Sequence, residues 1–469
     1  MRSWCAAVLV VSSVTLAIGA GFDDDFTGAT LRVDYFHLGT ATEEHFALER
    51  ARIEGPWPGS RTQLLDGTNL GKYMVEVADL ATHRILYSRG FASIFGEWET
   101  TRPAREGIWQ SIPEAVRVPE PRRPFQLRIR KRQADQSFRE VWARSIDPAS
   151  RFVDRARLTD RAVRSLMDHG DPALKADLLI LGDGYPEEAM ERFHADAARA
   201  VAALFAEEPF ASRREDFNVR AVDSPSGLAG ISRPRAGIFR TTPLGARYNT
   251  FDSERYVLSL DDRAWRDVAA AAPYDFVLIL INERKYGGGG IFNLYSTAAM
   301  GSAFAPYLVV HEFGHHFAGL GDEYYTSDVA YENFAGDHVE PWEPNITALD
   351  DPERIKWKGH VAADTPLPTP WAKDDYEERS RASQQRRREL RAAGATEEKL
   401  EALFREEREM FSAMLGRERP GVGAFEGAMY EARGLYRPAA DCVMFTRDEV
   451  GFCPVCAAAI ERIIDLHSR

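Results

Sequence analysis

Two stretches, ADLLILGDGY (176–185) and YDFVLILIN (274–282), carry almost unbroken apolar runs. A strand with one wet face alternates apolar and polar residues, whereas a strand covered on both faces does not. These runs therefore predict a sheet with helices packed on it. The intervening PEEAMERFHADAARAVAALFAEEPF has a helical period, and Pro186 suits a first turn, where its missing N–H costs nothing. FNVRAVDSP (217–225) reads as a further strand. Strands alternating with helices predict an α/β layered domain over about 155–469.

The region 24–145 has a different signature. LRVDYFHLGT, YMVEVADL, RILYSRGFASIFGEW and FQLRIRKR alternate with period two, and PWPGS and LLDGTN supply turn chemistry. This predicts a small antiparallel β-sandwich ahead of the α/β domain, so the whole chain is expected in the α+β or α/β class. A Glu/Arg-dense stretch at about 371–418, interrupted near Gly394, predicts an exposed helical hairpin inserted into the second domain.

The composition excludes several functions. With 469 residues, 44% of them hydrophobic, the chain can bury a large core. A net charge of −13 and the lack of a compact Lys/Arg patch argue against nucleic-acid binding. Residues 1–20 combine Arg2, an apolar run from Ala6 to Ile18 and small residues up to Ala20, the pattern of a cleaved signal peptide. The expected location is therefore secreted or periplasmic, without stable membrane insertion. Cys5 would leave with that segment. Cys442, Cys453 and Cys456 remain, and one disulfide joining Cys442 to Cys453 or Cys456 is expected. A zinc site is the rival, but three cysteines fall one ligand short of the four such a site needs.

The chemistry concentrates in APYLVVHEFGHHFAGLGDEYY (305–325). Residues four apart share a helix face, so His311 and His315 can aim at one ion, and Glu312 can reach a water beside it. The ion expected is Zn2+, with Glu312 as general base for hydrolysis. His316 points about 100° round the helix and is assigned a supporting role. Zinc needs a third protein ligand. Gly319 and Gly321 permit a turn that brings Asp322 or Glu323 back; Asp322 is preferred, Glu323 is second and Glu332 ranks below both. Tyr324, Tyr325, Tyr430 and Tyr436 are all candidates to stabilise an oxyanion. YGGGGIF (286–292) lacks the Lys-Ser/Thr of a phosphate loop and suggests close backbone approach beside a cleft, bordering an edge strand where a peptide could pair. NIT at Asn345 matches a glycosylation acceptor.

HEFGHHFAGLGDEY resembles the active-site segment of the M64 metallopeptidases, a family often labelled IgA peptidase M64. LLILGDGYPEE, FNVRAVDSPSG, FEGAMYEARGLYRP and the CVM and FCPVC segments resemble the family as well. The resemblance implies a metzincin-like zinc peptidase, with Met444 as an apolar floor beneath the metal. Metzincins usually show H-E-x-x-H-x-x-G-x-x-H; here Gly319 and Asp322 each sit one place later, and Asp replaces the third His. Nothing in the sequence marks an antibody-binding surface, so the substrate expected is a protein or peptide in general. The alternatives are an exported zinc amidase acting on cell-wall peptides and a non-catalytic, zinc-stabilised surface binding protein. Glu312 favours catalysis over the latter, because a structural site needs no base.

Overall fold

A computed structural model describes residues 21–158, 160–326, 339–416, 421–448 and 450–468. The proposed signal segment and Glu332 lie outside the described residues. Two four-stranded sheets face each other in the first part of the chain. One orders Gln110–Pro121, Phe26–Gly39, Glu44–Pro56 and Val153–Asp154; the other orders Ile85–Phe91, Tyr73–Asp79, Phe125–Arg132 and Phe138–Ile146. All pairings are antiparallel except the two-residue strand Val153–Asp154. Alternation places Leu31, Val33 and Tyr35 of one sheet against Val75, Val77, Leu127 and Ile129 of the other.

His37 continues this inward-facing series as a polar residue. It is buried between the rings of Phe46 and Phe95, each 4.0 Å away centre to centre, with Glu114 on Nδ1 and Glu44 on Nε2, both at 2.8 Å. Burial disfavours the imidazolium, but the two carboxylates outweigh it and raise the His37 pKa above its ordinary value. Glu44 is pulled down to about 2, against the effect of burial, chiefly by His37. A raised folded-state value makes the stabilisation complete below about 6.5, the unfolded His value, and removes it as pH rises through the folded value. The melting-temperature gap between the native chain and His37→Gln is therefore expected to narrow as pH rises. A gap that widens toward alkaline pH would contradict this.

The second part is built on a six-stranded sheet. Its order is Gly288–Ile291, Tyr295–Ala299, Phe276–Ile281, Ala176–Asp183, Phe217–Val222 and Val163–Met167. The inner four strands are parallel and the two edges antiparallel. The apolar runs supply central strands, and Ala176–Asp183 and Phe276–Ile281 are buried along their whole length. The helix Ala305–Ala318 packs on the strands nearest the Gly288 edge and against helices Met190–Leu204 and Pro454–Ser468. Among the described residues no helix is long and apolar enough to cross a membrane.

The two parts share polar and apolar contacts. Arg32, fully buried, pairs with Asp34, Glu54 and, across the junction, Asp267. Ala92 N–H donates to Phe292 O at 3.0 Å, and Ile94, Phe95 and Trp98 belong to the main core. The charged hairpin forms as Lys373–Ala392 and Glu397–Leu415, with Gly394 left-handed between them (φ 64°). It is less exposed than its composition suggests. Leu400, Leu403, Phe404, Phe411 and Leu415 are buried, and Phe404 meets Phe304 and Tyr286. Glu401 also accepts from Ala303 N–H at 2.8 Å, just ahead of the histidine helix. The hairpin therefore braces the body, and its Glu/Arg density conceals a narrow apolar stripe.

Candidate metal centre

Pro306 sits in the first turn of Ala305–Ala318, where the helix loses no hydrogen bond to it. Gly319 ends the helix in the left-handed region (φ 63°), and a Cβ there would come within 2.7 Å of the Trp342 ring. The chain then reverses through Gly321, held on both sides by Asn345. Its Oδ1 accepts from Gly321 N–H at 2.7 Å, and its Nδ2 donates to Gly321 O at 3.0 Å. Asn345 is fully buried, so the glycosylation acceptor read from NIT is not accessible in the folded chain.

This reversal brings three ligand atoms together. His311 Nε2 and His315 Nε2 lie 3.2 Å apart, and each lies 3.2 Å from Asp322 Oδ1. A zinc bound at about 2.0–2.1 Å with tetrahedral angles separates its ligand atoms by about 3.3–3.4 Å. The triangle therefore fits one such ion. Asp322 Oδ1 is buried and has no hydrogen-bond donor among the described residues. The remaining valences are committed elsewhere. His311 Nδ1 lies 3.0 Å from Val443 O, and His315 Nδ1 lies 2.5 Å from Leu320 O. Donating Nδ1–H to a carbonyl leaves each Nε2 lone pair for a metal. Asp322 Oδ2 accepts from the Tyr430 hydroxyl.

The electrostatics point the same way. Burial works against a charged His315, but Asp322 outweighs it and raises the pKa to about 9. Asp322 is held well below its ordinary value despite burial, by His315 and His311. The site thus pulls positive charge toward Asp322 Oδ1, a demand that a divalent cation meets.

Glu312 lies in the same cleft, with a carboxylate oxygen within 4.8 Å of ligand nitrogens on both histidines. Burial pushes its carboxyl up, against the pull of His311, His315 and Arg255. The glycine run explains how the edge strand fits beside it. A Cβ on Gly290 would sit 2.2 Å from Glu312 O, and one on Gly288 3.0 Å from Glu312 Cγ. Gly288 gives its outward N–H to Arg255 O and accepts from Val257 N–H. Two residues along, Gly290 turns the same backbone groups toward the cleft.

His316 is not part of this site. It is fully buried against Phe276 and Phe313, burial pushes its pKa down to about 3, and neither ring nitrogen has a partner among the described residues. Glu323 also turns away, into a cluster of three cysteines. Of the four tyrosines, Tyr324 and Tyr430 line the cleft. Tyr325 packs instead on Tyr376 and Gly427, and the backbone of Tyr436 pairs with Thr347. Tyr324 stacks near His311 and accepts from Arg255 Nη2 at 2.5 Å. Burial keeps its hydroxyl protonated, with Arg255 opposing. Met429 and Tyr430 adopt left-handed backbone (φ 46° and 66°), held by bonds from their N–H groups to Asp322 O and Tyr324 O. Met444 Sδ would be 3.0 Å from a Cβ on Gly314, so it packs against the histidine helix.

Sequence reasoning missed Arg255 and the far wall of the cleft. The cleft has a volume of about 560 Å3, and Ser93, Gly96 and Glu97 of the first part line it together with Glu312 and Asp322. No local pattern marks these residues, because they meet the site only through the packing of the two parts. Asp183, prominent in LLILGDGYPEE, is a structural tie. It accepts from Thr242 Oγ1 (2.7 Å) and Ala246 N–H (2.9 Å).

A family model described as IgA Peptidase M64 matches residues 165–464, and one described as Peptidase M64 N-terminus matches residues 21–143. No curated protein matches the chain. The matches cover most of the sequence, and the histidine helix lies inside the longer one. The chain belongs to the M64 family of peptidases.

Proposed function

We propose that this peptidase is an exported, zinc-dependent endopeptidase in which His311, His315 and Asp322 hold the ion and Glu312 is the general base. The observation that carries the reading is the set of three ligand atoms 3.2 Å apart, with one of them, Asp322 Oδ1, otherwise unpartnered. Zinc bound there supplies Lewis acidity, making a water more acidic and polarising a carbonyl. Glu312 accepts the proton of the attacking water and returns it to the leaving amine. Its raised carboxyl pKa suits both steps, since an acceptor far more acidic than its partner would not hold the proton. The Tyr324 hydroxyl, aligned by Arg255, donates to the developing oxyanion. Substrate backbone pairs with Gly290 on the edge strand and lies across the cleft toward the wall at Ser93–Glu97.

The arrangement supports a metzincin-like reading, with Met444 beneath the histidine helix and Asp322 in the place of a third histidine. Export rests on residues 1–20 alone. The test is hydrolysis of a peptide library with and without a chelator. Internal cleavage that chelation abolishes and zinc restores is the expected result. Cleavage indifferent to chelation would overturn the assignment.

A further inference from the structure

Asp322 and Glu323 are adjacent in sequence, yet they serve opposite sides of their loop. Glu323 is fully buried, as are Cys442 and Cys456, and Cys453 is 6% exposed. One ligand atom from each of the four lies within 4.8 Å of the other three. Cys442 Sγ and Cys456 Sγ are 3.9 Å apart. A disulfide holds its sulfurs at about 2.05 Å, whereas two thiolates on one zinc, each at about 2.3 Å, stand about 3.8 Å apart. Cys456 Sγ lies 3.2 Å from Glu323 Oε1, near the roughly 3.5 Å that sulfur and oxygen ligands of one zinc keep. All three cysteines are free thiols, so the disulfide expected from the sequence does not form here.

A second observation points to a ligand. Glu323 Oε1 accepts from Asn345 Nδ2 at 2.9 Å, but Oε2 is buried and has no hydrogen-bond partner among the described residues. An open carboxylate oxygen sealed in a core is satisfied by a cation, a donor or a proton of its own. Backbone dipoles also face the sulfurs. Cys453 N–H donates to Cys442 Sγ at 3.3 Å. Cys453 and Cys456 flank the first residues of the helix Pro454–Ser468, whose N-terminal dipole favours negative charge.

We propose that Cys442, Cys453, Cys456 and Glu323 form a second metal site, closed and structural, for a thiophilic divalent cation, zinc. Three thiolates and a carboxylate make four ligands, the number structural zinc takes, with no position open for water. The missing fourth ligand is thus an acid distant in sequence. The site joins three segments that shape the first centre: the loop carrying Asp322, the turn whose Val443 O accepts from His311 Nδ1, and the C-terminal helix. Glu323 N–H donates to Met444 O at 2.9 Å, which reinforces the same junction. This site does not depend on the peptidase mechanism.

The test is metal stoichiometry on the purified chain, by elemental mass spectrometry. Two zinc equivalents are expected in the native chain and one in the His311→Ala/His315→Ala double variant. Loaded with Co2+, that double variant should show strong thiolate-to-cobalt charge-transfer absorption. Titrating its thiols with an organomercurial should release zinc in step with the thiols consumed. Cys456→Ser should lose one equivalent; if that variant fails to fold, the double variant still decides. A folded double variant with no zinc and no charge-transfer band would overturn the site. So would an intact mass showing two of the three thiols joined as a disulfide in the metal-loaded native chain.

Discussion

Replacing Glu312 with Gln is expected to leave a folded, zinc-loaded chain that hydrolyses peptides about 10²–10⁴-fold more slowly, the range that positioned acid–base groups supply. The amide keeps the shape of the side chain but cannot accept a proton. Glu312 is 5% exposed, and burial already disfavours its charged form, so a neutral side chain of equal size adds no desolvation cost. The ligand triangle is made by His311, His315 and Asp322 without Glu312, so zinc content should hold. Measuring kcat/KM on a fluorogenic peptide beside zinc content separates the two effects. Turnover within a few-fold of the native value would remove Glu312 from the proton transfer.

The second large effect is expected at Asp322. Its Oδ1 stands at 3.2 Å from both imidazoles, and its Oδ2 receives the Tyr430 hydroxyl. Asp322→Ala deletes a ligand and leaves that hydroxyl without its acceptor. The zinc concentration needed for half-maximal activity, read in metal buffers, should rise by more than the 10–100-fold typical of losing an outer-shell partner. Tyr430→Phe, which removes only the outer contact, should fall within about that range. Glu323→Ala should disturb this centre less, because its side chain enters the cysteine cluster instead. If Glu323→Ala weakens activating zinc more than Asp322→Ala, the two acids have been assigned to the wrong ions.

Some of this arrangement was legible in the residues. The apolar runs at 176–185 and 274–282 require a doubly covered sheet, and strands form there because no face of them can meet water. The H-E-x-x-H spacing puts two rings on one helix face by helical geometry alone, and the two Nε2 atoms do converge. The hairpin at 371–418 was legible as two helices, but not as a brace. Its charged residues outnumber the few apolar ones that dock, so composition described its wet side.

The fate of the paired acids was decided at longer range. The loop sends Asp322 to the histidines and its neighbour Glu323 to the cysteines, as adjacent residues of extended chain do. Asn345, 22 residues on, and Met444, further still, set the direction by gripping Glu323 at its carboxylate and its N–H. The same holds for Arg255, Tyr430 and the Ser93–Glu97 wall, which reach the cleft from distant segments. Sequence alone determined what is periodic and local: the covered strands, the alternating sandwich strands, and two histidines one turn apart. Tertiary structure decided which acid faces which cluster and what closes the cleft, because those choices depend on contacts between segments that share no local pattern.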